Sequence, residues 1–225
     1  MIRLFDILFS IIILIISLPF LIPIGLLLLF TGEGKVFYKQ SRVGKNGKIF
    51  GLLKFATMLE NSPNLSGGDI TSGDDPRVLT VGKILRKTKV NEIPQIINIF
   101  LGEISIVGPR PLTPRNFALY DKSTQEIIKK TKPGLTGIGS IVFRDEESII
   151  RNSEKKPLDC YSEDISPYKG KLERWFFDEQ TTGNYFLLIF ITAWVVLFPK
   201  SKLVWNIYSD LPEPPDSFKD QLNYS

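Results

Sequence analysis

Residues 7 to 30 read ILFSIIILIISLPFLIPIGLLLLF, 24 consecutive positions without a charge. A stretch this long and apolar must find lipid or a large core, and about 20 such residues suffice to cross a bilayer. It does not read as a cleavable leader, because the run is too long and no small-x-small site follows it. Its interior carries Ser17, Leu18, Pro19 and Pro23. A proline inside a helix removes a hydrogen bond and kinks the axis, and a hydroxyl such as that of Ser17 can satisfy a freed carbonyl at membrane depth. Composition alone leaves two routes open: one kinked spanning helix, or two half-helices that enter and leave the same leaflet. The flanking charge favours the second. Arg3 precedes the run, and from Lys35 to Lys54 come six cations (Lys35, Lys39, Arg42, Lys45, Lys48, Lys54) and no acid. Positive charge at both ends is satisfied only if both ends face the cytoplasm. The expectation is a re-entrant helix-break-helix with its break at Ser17 and Pro19.

The basic block beside this run suits anionic headgroups, so membrane lipids are expected partners. Nucleic acid is not, since no nucleic-acid motif accompanies the block. With 225 residues, 43% of them hydrophobic, the chain can bury a core of its own as one domain with attachments. There is no histidine, which removes Ser-His-Asp and Cys-His catalysis, imidazole-bound zinc and the usual general base. A metal would then be a hard ion on oxygen ligands, with Mg²⁺ the natural choice beside phosphates. The lone cysteine, Cys160, excludes an intramolecular disulfide and fits a reducing compartment.

Past the apolar run, Lys45-Asn46-Gly47-Lys48 between Val36-Phe37-Tyr38 and Ile49-Phe50 predicts a β-hairpin over 35–58. Residues 60 to 75 are rich in Ser, Gly, Asn and Asp and predict a mobile loop, either a connector or a lid. A basic amphipathic helix is expected over 78–89, and a further helix from Thr113, as cap, to Lys130. The acids after Arg144 read as a solvated helix start, with Mg²⁺ binding the lesser alternative. A helix is expected over 173–180. Residues 185–198 are apolar but too short to span, so they predict a buried or interfacial helix, with Trp194 and Trp205 at headgroup level. The proline-rich residues 209–225 predict a disordered tail.

The chemistry is concentrated between Asp75 and Pro111. Asn91-Glu92 precedes Pro94 and an apolar run, which predicts a helix start with Asn91 as cap and an ionised Glu92 in its first turn. Such a carboxylate suits a metal ligand, although ordinary helix-start chemistry accounts for it equally well. Four cations, Lys83, Arg86, Lys87 and Lys89, precede the pair. In Pro109-Arg110-Pro111 the prolines hold the backbone extended and present the Arg110 fork to an oxyanion, or else merely stiffen a turn.

These residues together resemble the bacterial sugar transferases, the monotopic phosphoglycosyl transferases that start glycan assembly on a polyprenyl carrier. Tyr38-Lys39-Gln40-Ser41-Arg42-Val43-Gly44, Lys54-Phe55-Ala56-Thr57-Met58, Asp75-x-Arg77, Gly82, Leu85-Arg86 and Glu92-Ile93-Pro94-Gln95 arrive in family order. Asn98, Gly102, Ser105, Val107 to Pro111 and Lys132-Pro133-Gly134-Leu135-Thr136-Gly137 complete the set. The resemblance implies an α+β fold, in which a re-entrant segment over 1–31, a β-hairpin and several interfacial helices serve one membrane-surface catalytic domain over 32–208. It implies transfer of a sugar 1-phosphate from a UDP-sugar to undecaprenyl phosphate, giving polyprenyl-diphospho-sugar and UMP. That is the first membrane step of exopolysaccharide, capsule, O-antigen or glycoprotein glycan synthesis, on the cytoplasmic face of the bacterial inner membrane. Glu92 is then the Mg²⁺ ligand, and Arg110, Lys54, Arg86 and Arg77 are phosphate contacts. Gln95, Pro109, Pro111, Gly134 and Thr136 line the donor site, and a homodimer is an assembly the family allows.

Two positions depart from the family pattern. Asn91 stands where the family's nucleophilic aspartate is expected, and Ala56 replaces an arginine. A neutral amide cannot act as that nucleophile. The alternative expectation is therefore a catalytically disabled scaffold in a glycan assembly complex.

Overall fold

A computed structural model describes residues 1–31, 33–59, 61–62 and 75–224. Helices predominate over short strands, in keeping with a mixed class, and the chain falls into two compact units. One comprises Arg3–Arg42 and Ile49–Glu103; the other comprises Met1–Ile2, Val43–Lys48 and Ile104–Ser225. Most of the expected loop over 60–75 lies outside the described residues.

The first of these units is built on α1, Ile2–Phe30, a single 29-residue helix with Pro19 and Pro23 inside it. By length and composition α1 can cross a membrane, and Leu8, Ile12, Ile15, Ile16, Phe20 and Ile22 on it are exposed. The helix assignment is continuous through Ser17 and Pro19, so no break divides it there. Ser17 Oγ donates to the Leu14 carbonyl oxygen at 3.2 Å, one residue before the Ile15 carbonyl that Pro19 leaves without its intrahelical donor. Near its start, the Arg3 guanidinium donates to the carbonyl oxygens of Ile99 and Phe100 at 2.5 and 2.6 Å. Near its end, Leu28 is buried with Phe55 and Leu85, and Leu21 and Ile24 pack against that cluster.

The expected hairpin is present as β1, Phe37–Val43, paired with β2, Ile49–Phe55. Its turn needs two left-handed residues, and Asn46 (φ 59°) and Gly47 (φ 73°) supply them. Beyond β2 the chain pairs with residues 77–79: Leu79 N–H donates to Thr57 O, and Leu59 N–H to Arg77 O. Helix α2, Thr80–Lys87, then passes so close that a Cβ on Gly82 would overlap the Thr57 carbonyl. It starts two residues later than its periodicity suggests, because Asp75 and Arg77 hold the preceding turn.

Asn91 does not cap a helix. Lys89 is left-handed (φ 59°), Val90–Glu92 make one 3₁₀ turn, and α3, Gln95–Leu101, begins only after Pro94. Asn98 ties α3 to β2: its Nδ2 donates to Gly51 O at 2.9 Å, and its Oδ1 accepts from Leu53 N–H at 2.9 Å.

In the other unit, β3, Ser105–Val107, runs parallel to β4, Gly134–Thr136, in the register Ser105 to Gly134 and Val107 to Thr136. The helix expected over 113–130 is two. Thr113 caps α4, Pro114–Phe117, as expected, but Asp121 caps a new helix, α5, Lys122–Lys130. Short helices α6 (Ile138–Val142), α7 (Glu146–Asn152) and α8 (Pro157–Asp159) follow. A π-helical stretch over Cys160–Ile165 leads into α9, Ser166–Asp178, which therefore begins earlier than expected. Helix α10, Thr182–Leu197, buries Tyr185, Leu188, Ile191 and Val195 and exposes Phe190, Trp194 and Leu197.

After α11, Leu203–Ile207, the chain is not a disordered tail. Leu211, Phe218 and Leu222 are buried, and Tyr168 Oη donates to Pro212 O at 2.6 Å. Trp205 Nε1 donates to Leu222 O at 3.2 Å, so its indole N–H is satisfied within the protein. The prolines exclude regular helix here without preventing apolar side chains from docking.

The Asp75–Arg77 pair is the clearest stability element of the α1 unit. Both residues are buried, and Arg77 Nε and Nη2 grip the two carboxylate oxygens while Nη1 donates to Ser62 O at 2.8 Å. The hydrogen bonds from Arg77 hold the Asp75 carboxyl below its ordinary 3.8. A lowered acid stabilises the fold above its unfolded value and loses that contribution as pH falls through the native one. Arg77→Met should therefore destabilise by about 3 kcal/mol or more in urea unfolding of the detergent-solubilised protein at neutral pH, since it leaves a buried carboxylate unpaired.

Candidate active site

The residues expected at the site fall into two sets, one in each unit. In the α1 unit, Lys54 is the penultimate residue of β2 and Glu92 ends the 3₁₀ turn, and Lys54 Nζ stands 3.6 Å from Glu92 Oε1. Both side chains are partly exposed, 18% and 26%, which leaves the pair open to a ligand. Asn91, one residue earlier, is buried at 5% exposure, and its Oδ1 has no hydrogen-bond partner among the described residues. The two neighbours thus differ in environment: an accessible carboxylate beside a cation, and a hidden amide.

Arg86 lies on the same unit, with Nη1 3.5 Å from Met58 Sδ. This joins the Lys54–Met58 segment to α2 and leaves Arg86 half-buried. Gln95 is buried in the first turn of α3. Arg77 was expected at phosphates; it is instead buried and gripping Asp75, so it supports the backbone behind Met58 and Leu59.

In the other unit, Pro109, Arg110 and Pro111 follow β3 directly, and β4 brings Gly134 and Thr136 beside them. Gly134 N–H donates to Pro109 O, and Gly108 N–H to Thr136 O, both at 2.8 Å. Cβ atoms at Gly108, Gly134 or Gly137 would overlap backbone atoms of the facing segment. Glycine is therefore the only residue that lets the two segments meet at this distance. Pro109 and Pro111 are buried while Arg110 between them is exposed, so the loop presents its one guanidinium outward. The Thr136 hydroxyl is engaged with that of Thr192 on α10 at 2.8 Å.

A divalent cation fits this inventory in one way. Among the described residues no group of three carboxylate, thiol or imidazole side chains converges. A magnesium ion usually takes one or two carboxylates and completes its shell with water and substrate phosphates, and Glu92 is a donor of that kind.

Sequence reasoning did not single out Lys169 and Glu173. Both are buried on α9, and Glu146, expected in a solvated helix start, is paired with Lys169. The available signal was their four-residue spacing among Tyr168, Leu172 and Phe176, where a charged pair lies on a face that the aromatics bury.

The family described as bacterial sugar transferase matches residues 1–199. The exopolysaccharide production protein ExoY of Sinorhizobium fredii is 39% identical over 160 residues, covering 65% of this chain and 70% of that protein. The undecaprenyl-phosphate galactose phosphotransferase of Salmonella typhimurium is 31% identical over 209 residues, 87% of this chain and 40% of that longer protein. The UDP-glucose:undecaprenyl-phosphate glucose-1-phosphate transferase of Klebsiella pneumoniae is 36% identical over 159 residues, 68% of this chain and 34% of its own length. With a match over most of its length and the ordered motifs placed in two packed sets, the chain belongs to the bacterial sugar transferase family.

Proposed function

We propose that this protein transfers a sugar 1-phosphate from a UDP-sugar to undecaprenyl phosphate, releasing UMP, and does so without a covalent enzyme intermediate. The observation that carries this is the accessible Lys54–Glu92 pair beside a buried amide at position 91. An oxygen of the lipid phosphate attacks the phosphorus that bears the sugar. The bond from that phosphorus to the bridging oxygen breaks, and UMP leaves with the electron pair. The attacking oxygen is already anionic, so no general base is needed, and a chain without histidine is adequate.

Catalysis then consists of positioning and charge neutralisation. Lys54 and Arg86 are read as contacts to phosphate oxygens in the α1 unit; Arg110, taken by itself within its own unit, is a two-pronged donor suited to an oxyanion. Magnesium held by Glu92 would neutralise charge on the donor diphosphate. Asn91, lacking a nucleophilic atom, serves as a buried neutral neighbour to Glu92.

The decisive assay is UMP release from a panel of UDP-sugars by purified protein with undecaprenyl phosphate and Mg²⁺. Lipid-dependent release is expected from wild type, with losses of about 10²-fold or more in Glu92→Gln and about 10-fold or more in Lys54→Met. A direct mechanism also predicts no exchange of labelled UMP into UDP-sugar when lipid is omitted. Exchange without lipid would overturn the direct route. Silence in wild type with activity gained by Asn91→Asp would favour the disabled-scaffold alternative.

We further propose that α1, continuous as a helix but bent at Pro19 and Pro23, is re-entrant, with both ends on the cytoplasmic face. Arg3 and Leu28, near opposite ends of α1, both engage the same compact unit. A helix straight through the bilayer would hold its first residues about 30 Å away across the hydrocarbon. Cysteines introduced at Leu4 and Ser201 should react with a membrane-impermeant maleimide only in inside-out vesicles. Labelling of the Leu4→Cys protein from the opposite side would mean a spanning helix.

A further inference from the structure

The C-terminal unit contains a buried charged cluster that the transfer chemistry above does not use. Glu173 on α9 is 5% exposed. Its Oε1 occupies the space a side chain on Gly139 of α6 would need, and its Oε2 has no hydrogen-bond partner among the described residues. One turn earlier, Lys169 pairs with Glu146 of α7 and stands 5.1 Å over the Phe143 ring. Glu173, Lys169 and Tyr120 line a small cavity behind the Arg110 loop. Every residue lining that cavity is buried except Arg110, which is exposed. Arg110 therefore borders both the cavity and the solvent, and its side chain has two directions to take.

We propose that Glu173 is a positioning residue for Arg110. With Glu173 ionised, its free oxygen draws the guanidinium toward the cavity; with Glu173 neutral, Arg110 extends to solvent, where a phosphate can take it. The second half rests on the transferase reading given above, and the first half does not. The driving force is the cost of a buried carboxylate oxygen without a donor, which a guanidinium removes.

The other groups facing Glu173 leave it as the one that changes near neutrality. Burial pushes the Glu173 carboxyl up to about 7, with Lys169 opposing. Burial presses Lys169 down, but Glu146 beside it outweighs this and keeps Lys169 cationic. Tyr120 is driven well above the usual phenol range by burial and by its neighbour Tyr161, and stays neutral. The sign follows from an acid whose value is raised: Glu173 is neutral below about 7 and ionised above it. Rising pH therefore retracts Arg110.

The test is modification of Arg110 by phenylglyoxal, read by peptide mass spectrometry on the full-length protein in detergent without substrate. Arg115 and Arg151 in the same sample correct for the reagent's own pH dependence. Corrected Arg110 modification should fall about three-fold or more between about pH 6 and about pH 8 in wild type, and stay flat in Glu173→Gln. A flat wild-type profile overturns the proposal, as does an unchanged fall in Glu173→Gln. Should Glu173→Gln not fold, Glu173→Asp, which keeps the acid and shortens its reach, should show a smaller fall; a fall equal to wild type again overturns the proposal. No sugar transfer enters this readout, so an inactive chain still decides it. In an active chain, the same retraction should lower kcat/KM for the UDP-sugar across that interval.

Discussion

The grip of Arg3 on the carboxyl end of α3 is the contact on which the placement of the long apolar helix depends. A helix leaves its last carbonyls without intrahelical donors, and a cation there also meets the negative end of the dipole. Arg3 supplies both to Ile99 and Phe100. Gly102 closes α3 in a left-handed conformation (φ 86°), and the guanidinium passes so near that a Cβ there would meet it at 3.1 Å. Asn98 meanwhile binds the backbone of β2. The long apolar helix, the helix after Glu92 and the strand that delivers Lys54 are therefore linked through hydrogen bonds within one compact unit. The Lys54–Glu92 pair inherits its position from that linkage.

Glycine plays the corresponding part in the other unit. Gly108, Gly134 and Gly137 let two backbone segments touch, and the hydrogen bonds between them fix the loop that carries Arg110. Rigidity here comes from main-chain contact, with the prolines on either side limiting what remains. An exposed arginine on so fixed a base loses little backbone entropy when it binds an anion.

What the sequence made legible follows from how local each cause is. The hairpin was readable because Asn46-Gly47 demands left-handed backbone, and the start of α4 because Thr113-Pro114 is a local cap. The division between α4 and α5 was missed because Asp121 is one polar residue among several, and only Thr124, Ser123 and Arg174 around it reveal it as a cap. Arg77 looked like a phosphate contact because a cation's partner is not written beside it, although Asp75 stands two residues away. The terminal segment was misjudged for a related reason. Its prolines announce irregular backbone, while the burial of Leu211, Phe218 and Leu222 depends on a surface formed by distant residues. Glu173 was invisible on the same ground, since its lack of a partner is a property of packing.

The departure at position 91 gains a physical meaning once its burial is known. An aspartate in this place would be a buried carboxylate whose acceptor oxygen finds no donor among the described residues, beside a second carboxylate at Glu92. Two adjacent acids, one of them desolvated, raise each other's proton affinity and weigh against the folded state. The amide removes one charge from that pair and lowers the cost of burial to that of a neutral polar group. The substitution thus exchanges a potential nucleophile for a neutral side chain that costs less to bury beside Glu92.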